Sequence, residues 1–222
     1  MPDLAPLWLT LKVATAATGL SLAFAVALAW LVARRRFPGR ELLDALCTLP
    51  LVLPPTVLGY YLIVLWGRNG WLGSFLHRSL GLSLMFTWQG AVLAASVVSF
   101  PLLFKSARAA FEGVRTEYEQ AARILGDREL AVFWRVTLPL ASRGLLAGVM
   151  LAFARAMGDF GATLMVAGNI EGKTQTAAMA VFDAVSAGDY SLANTLVAIM
   201  SVTCAAILLA TNLLMARKEA GR

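Results

Sequence analysis

The stretch Glu117–Arg143, EYEQAARILGDRELAVFWRVTLPLASR, decides how this chain is read. It is the longest polar run in a sequence otherwise suited to lipid. Its first part continues a helix whose apolar positions are Ala107, Ala110, Phe111, Val114, Tyr118, Ala121, Ala122 and Leu125, a spacing of three and four. Gly126 stops that helix as a left-handed C-terminal residue does. Asp127 is placed to cap a second short helix, Arg128 to about Thr137, with Leu130, Val132, Phe133 and Val136 as its apolar residues. Pro139 is expected to end it, since the residue before a proline avoids helical geometry. Two short amphipathic helices with a bend between them should lie on the membrane surface, shaped to press into a groove on a soluble partner.

Outside this stretch the composition is that of an integral membrane protein. Of 222 residues, 59% are hydrophobic and 14% charged, with a mean hydropathy of +0.72. Soluble domains are about 45–50% apolar and roughly 25% charged. One unit is expected, residues 1–222, all-α, with no separate domains. The formal charge of +6 does not point to nucleic acid, because the basic residues sit beside apolar spans and form no cationic face. Cys47 and Cys204 fall inside expected spans and read as small packing residues. His77, the lone histidine, makes no metal site.

Five spans are expected, at about 8–32, 43–66, 84–104, 144–167 and 193–215, with a cytoplasmic loop at about 105–143. The first apolar run is too long for a signal peptide and reads as an uncleaved span. Lys12 near its start can reach the interface, and Trp66, Trp71 and Trp88 suit an aromatic belt. Residues 67–82 read as a short loop. The segment 176–187 is too short to cross and should lie at the outer surface or dip partly inward.

Two spans carry features costly in lipid. The second holds Pro50, Pro54, Pro55 and Gly59. Each proline leaves a carbonyl without its donor, so this span should break and face the protein interior, as a packing kink or beside a translocation path. The fourth holds Arg155 and Asp159, four apart and so on one helix face. Such a pair either holds two helices in register or lines a path or its gate.

Basic residues orient the spans. Fourteen fall after the first span, in the central loop and at the C-terminus, against four on the other side (Lys12, Arg68, Arg78 and Lys173). The N-terminus is therefore expected outside and the C-terminus in the cytoplasm, which puts the central loop on the side that holds ATP.

The motifs then become specific. Gln120-Ala121-Ala122, three residues, Gly126, nine residues and Val136-Thr137-Leu138-Pro139 resemble the EAA loop of ABC-importer permeases, with Gln120 where the family has Glu and Val136 where it has Ile. That resemblance implies that Glu119, Gln120, Ala121, Ala122, Gly126, Leu138 and Pro139 couple the chain to an ATP-hydrolysing subunit. The plainer alternative is an ordinary surface helix–turn–helix. Residues 49–60, LPLVLPPTVLGY, and the run Phe153-Ala154-Arg155-Ala156-Met157-Gly158-Asp159-Phe160-Gly161-Ala162-Thr163 followed by 168–176, GNIEGKTQT, resemble molybdate-transporter permeases, the first more loosely also sulfate permeases. The implied fold is that of a type I ABC importer permease in the cell inner membrane. The implied partners are two cytoplasmic ATPase subunits, which bind ATP and Mg²⁺, and a periplasmic oxyanion-binding protein.

No phosphate-binding Gly-x-x-x-x-Gly-Lys loop is present, so this chain is not expected to hydrolyse ATP, and no cofactor is expected on it. Five spans are few to enclose a path, so a homodimer with the path on its two-fold axis is expected. The path should hold a dianion weakly, with hydroxyls, amides and helix N-termini. Its candidate residues are Pro54, Pro55, Thr56, Tyr60, Arg155, Asp159, Thr163 and Asn169. The alternatives are the same permease for sulfate or tungstate, an ion-gradient-driven secondary transporter, and a non-transporting scaffold.

Overall fold

The computed structural model describes residues 4–220, and side chains through 209. The described chain is helical: α1 Ala5–Arg34, α2 Arg40–Val52, α3 Pro55–Trp66, α4 Trp71–Leu80, α5 Trp88–Glu112, α6 Thr116–Ile124, α7 Glu129–Val132, a π-helical turn Phe133–Thr137, α8 Leu138–Met157, α9 Gly161–Ala167, α10 Ala177–Ser186 and α11 Tyr190–Ala220. Four stretches are long and apolar enough to cross a membrane: α1, α5, Glu129–Met157 and Tyr190–Leu209. The pair α2–α3, bent by 116°, makes a fifth when taken as one broken span.

Small residues build the centre. α1 buries Ala14, Ala17, Ser21, Ala25 and Ala29 along one face, with Ala14 and Ala17 against Ala91 and Ala95 of α5 and Ala25 and Ala29 against Leu103, Phe104 and Ala107. Backbones that approach this closely exchange polar contacts: Ser21 donates to the Ser96 carbonyl at 3.1 Å and Ser96 to the Ala17 carbonyl at 3.3 Å. α5 meets α8 in the same way. A Cβ on Gly144 would stand 2.6 Å from Ala110 Cβ, and one on Gly148 would stand 2.7 Å from Ser106 Cβ. At the N-terminal end of the α1–α5 contact Lys12 Nζ lies 3.7 Å above the Trp88 ring.

Several expectations need correction. α5 continues past residue 104 to Glu112, since Arg108 and Glu112 form an i,i+4 pair that suits a helix emerging into water. The helix expected to run from Ala107 through Leu125 is interrupted at Gly113–Arg115, where Arg34 takes the Val114 carbonyl. Pro139 does not end a helix. The π turn before it passes the Leu138 N–H to the Phe133 carbonyl, and the wider register admits a residue without a donor at the first turn of α8. Residues 71–80 are helical, closed by Gly81 at φ +67°, where a loop was expected. The span expected at 144–167 starts earlier and breaks at Gly158–Phe160, between α8 and α9.

The second span breaks where the prolines require it. Leu53 and Pro54 are extended, and Pro55 starts α3. It does not face the interior of the single subunit, however. Leu58, Gly59 and Leu62 pack inward, with Gly59 so close to α9 that a Cβ would stand 2.6 Å from Met165 Cβ. Leu46, Leu49, Leu51, Val52, Tyr60, Tyr61 and Val64 stay uncovered. α10 is too short to span, and its first N–H is held by Thr10 of α1 at 2.8 Å.

Candidate functional site

The central loop forms a bent platform. α6 closes with both bonds of a glycine stop: Gly126 N–H to the Arg123 carbonyl at 3.0 Å, and Asp127 N–H to the Ala122 carbonyl at 3.1 Å. Gly126 holds φ +92°, the left-handed region that favours glycine. Asp127 does not cap α7. It accepts from Arg135 at 3.2 Å, and Arg128 occupies the cap position with no side-chain bond. The elbow is fastened by Arg123, which donates to both oxygens of Glu129 at 2.7 and 3.2 Å. Those bonds push the Arg123 guanidinium further above its already high ordinary pKa.

Of the residues assigned to coupling, Gln120, Ala121, Gly126 and Pro139 are exposed, Leu138 is half-buried, and Glu119 and Ala122 are buried. Exposed beside them are two residues the motif does not single out, Ile124 at 85% and Leu125 at 86%. Leu130 and Trp134 are exposed as well, but they line an apolar cleft with Val26 and Trp30 of α1 and Leu145 and Leu146 of α8. Apolar residues as bare as Ile124 and Leu125 on a polar loop mark a contact surface. Their signal in the sequence was faint, because Leu125 fits the periodic apolar face of α6.

Glu119 turns inward and is 3% exposed. Its Oε1 accepts from Thr137 Oγ1 at 2.7 Å and lies 3.0 Å from Arg34 Nη2. A second ionic cluster joins α2 to α5: Asp44 accepts from Lys105 and Arg108, and Glu112 accepts from Arg108 and Arg40. Arg34 and Thr137 were not singled out by sequence, since pairings across the chain leave no local pattern.

The candidate path residues divide into groups. Pro54, Thr56 and Tyr60 lie on the uncovered side of the broken span, with Pro55 half-buried among them. The start of α3 also abuts the start of α9, where a Cβ on Gly161 would lie 3.2 Å from Pro55 Cβ and 3.5 Å from Thr56 Cγ2. Two helix N-termini thus meet at the proline break. That of α3 has no side-chain cap. Asp159 closes off that of α9, accepting from Thr163 N–H at 3.0 Å and Thr163 Oγ1 at 2.6 Å.

Arg155 and Asp159 do not share a helix face, because α8 ends at Met157. They remain 3.8 Å apart, with Arg155 partly exposed and Asp159 buried. Asn169 is turned to Asp183, donating at 2.7 Å, beside Gln175, which donates to the same oxygen at 2.8 Å. That arrangement fastens the 168–176 loop to α10. In the single subunit Asp159 and Thr163 are buried, Asn169 and Arg155 are half-buried, and Pro54, Thr56 and Tyr60 around the α3 start are the most exposed of the candidates.

Comparison with known proteins gives concordant results. Residues 22–220 match the profile of the family described as binding-protein-dependent transport system inner membrane component. The chain is 43% identical over 224 residues to the molybdenum transport system permease protein ModB of Escherichia coli strain K12, covering 100% of this chain and 98% of that protein. It is 37% identical over 194 residues to the sulfate transport system permease protein CysT of Salmonella typhimurium, covering 87% and 70%. Among solved structures, the MetNI methionine ABC transporter in inward-facing conformations superposes with a TM-score of 0.74 at 16% identity, covering 96% of this chain and 94% of that one. At that identity the likeness concerns fold.

Proposed function

This chain belongs to the binding-protein-dependent transport system inner membrane component family, and from that premise we propose that it is the permease subunit of an ABC importer carrying molybdate across the inner membrane. ATP is hydrolysed in a separate subunit, which holds the nucleotide and Mg²⁺. The observation that carries the reading is the bent platform of α6 and α7. At its bend Ile124 and Leu125 are exposed at 85% and 86%, on a polar loop where a membrane-embedded chain needs no exposed apolar group. A soluble subunit with a complementary groove would cover them.

Two such subunits are inferred, one for each of two copies of this chain. The second copy is supported by the uncovered side of α2–α3. A broken span has freed carbonyls and cannot face lipid alone, so another protein surface should lie against it. The path then runs on the two-fold axis past Pro54, Thr56 and Tyr60, where the N-terminus of α3 offers the single N–H of Thr56 and a positive dipole end to an oxyanion, since Pro54 and Pro55 have no N–H and those of Val57 and Leu58 are held by the Pro54 carbonyl. Thr56 and Tyr60 supply hydroxyls. This set binds a dianion weakly, as a path must for release. Arg155 adds a partly exposed positive charge nearby in sequence to the α9 break.

The N-terminus is assigned to the outside by the distribution of basic residues, and a periplasmic binding protein is assigned to deliver the anion to the outer mouth. Closure of the ATPase subunits moves the platform, and the helices joined to it shift as rigid bodies between inward- and outward-open arrangements. Asp159 stays buried and keeps α9 capped throughout.

Sulfate is the second reading, favoured by the identity to a sulfate permease; tungstate shares the same charge and shape. The experiment is uptake into proteoliposomes that contain this chain, its ATPase and a matched binding protein. Vanadate-sensitive molybdate uptake supports the proposal. Uptake by the chain alone, driven by an ion gradient, overturns it, and sulfate uptake without molybdate uptake selects the second reading.

A further inference from the structure

Glu119 lies on a largely exposed helix, yet it is turned away from solvent. Its neighbours Glu117 and Gln120 are exposed, while Glu119 is buried. A carboxylate meant for a partner subunit would point outward. This one is held by two other elements of its own chain, α1 and the π turn, and by a residue of its own helix. Arg34, in the last turn of α1, places Nη2 at 3.0 Å from Oε1. Thr137, in the π turn that leads into α8, donates to the same oxygen at 2.7 Å. Arg123 lies 3.9 Å from Oε2. Arg34 Nη2 also donates to the Val114 carbonyl at 2.9 Å, just beyond the end of α5.

The connectivity gives this cluster its meaning. The platform is covalently continuous with α5 on one side and with α8 on the other. α1 has no covalent link to it, and the guanidinium of Arg34 ties it to the Val114 carbonyl just before α6 and to Glu119 within α6. We propose that Glu119 is a positioning residue: with Arg34 and Thr137 it braces the platform to α1, so that α1, α5 and α8 move as one body when the platform is pushed. The inference rests on the platform being the coupling element. It assigns Glu119 to force transfer inside the subunit, and it predicts that docking uses the outward residues around it.

The test uses the full chain with Cys47→Ala and Cys204→Ala, in nanodiscs and in the reconstituted complex. Variants are Glu119→Ala and the double variant Glu119→Ala with Arg34→Leu. The double variant removes both charges, so a defect in it cannot come from a stranded guanidinium. Spin labels on Arg36→Cys and Glu117→Cys report the distance from the end of α1 to α6 in the chain without ATPase. We expect that distance distribution to be narrow in the parent and broad in both variants. In the complex the ATPase should co-purify in parental amounts and hydrolyse ATP, while uptake per ATP falls at least about fivefold in both variants, the scale of a modest coupling free energy. Unchanged distances in Glu119→Ala overturn the brace. So does return of the double variant to parental uptake per ATP, which would reduce the network to charge neutralisation. Loss of the ATPase from Glu119→Ala overturns it by making Glu119 a docking residue. If the parent itself recruits no ATPase, the coupling assignment fails, and the label distances still decide whether the brace exists.

Discussion

Replacing Gly126 with asparagine, alanine and valine tests whether the bend itself transmits force. The residue holds φ +92°, and a Cβ built on it meets nothing within 4 Å. Substitution therefore introduces no clash with neighbours, and what remains is backbone strain. A left-handed conformation costs a non-glycine L-residue roughly 1–2 kcal/mol, with asparagine least affected and β-branched residues most. That cost lowers the population of the bent form relative to alternatives by about five- to thirtyfold. The alternatives are those that release the bonds from Gly126 and Asp127 to Arg123 and Ala122. The expected order of uptake per ATP hydrolysed is glycine, asparagine, alanine, valine, measured in proteoliposomes with the ATPase and a matched binding protein. The unfolding midpoint of the membrane region should stay nearly constant across the series, since the packed core is untouched. Valine with parental uptake per ATP would refute the reasoning, as would a series ordered by side-chain volume alone.

Three further expectations follow from other parts of the structure. Ile124→Ser with Leu125→Ser should leave folding unchanged and weaken ATPase binding about tenfold or more, as loss of an exposed apolar anchor does, read by titration of the ATPase onto the reconstituted chain. Gly148→Leu should force α8 away from Ser106 and Leu103 and cost about 1–3 kcal/mol, seen as a lower unfolding midpoint; an unchanged midpoint would contradict the α5–α8 contact. Asp159→Ala should reduce stability by about 1 kcal/mol through loss of the α9 cap, and more than Arg155→Ala, whose charge lies 3.8 Å away. Equal midpoints for the two variants would show that the pair matters more than the cap.

The parts of this molecule that were legible in the sequence are those set by local chemistry. Long apolar runs announce α1, α5 and α11, and two adjacent prolines announce the break between α2 and α3. The bend at Gly126 was readable because a left-handed stop needs glycine at one position. Pro139 was misread for a related reason. Taken locally, proline ends a helix, but a π turn one register wider absorbs it, and only the packing of Phe133 against Trp30 and Phe111 shows where that turn forms. Arg155 and Asp159 looked like a helical pair because spacing assumes an unbroken helix. Gly158 and the bonds from Thr163 to Asp159 instead divide α8 from α9. The meeting of Glu119 with Arg34 spans most of the first half of the chain and leaves no periodic trace. Arg34 was counted for its charge beside a membrane, which is what its neighbours Arg35 and Arg36 also offer.

The central claim is that the platform faces the cytoplasm and is covered there by a separate motor. Leu125→Cys, in a chain with Cys47→Ala and Cys204→Ala, tests it with a membrane-impermeant maleimide. The account predicts labelling in inside-out vesicles, none in right-side-out vesicles, and protection of the inside-out signal when the ATPase subunit is bound. Labelling from the outer face would contradict it.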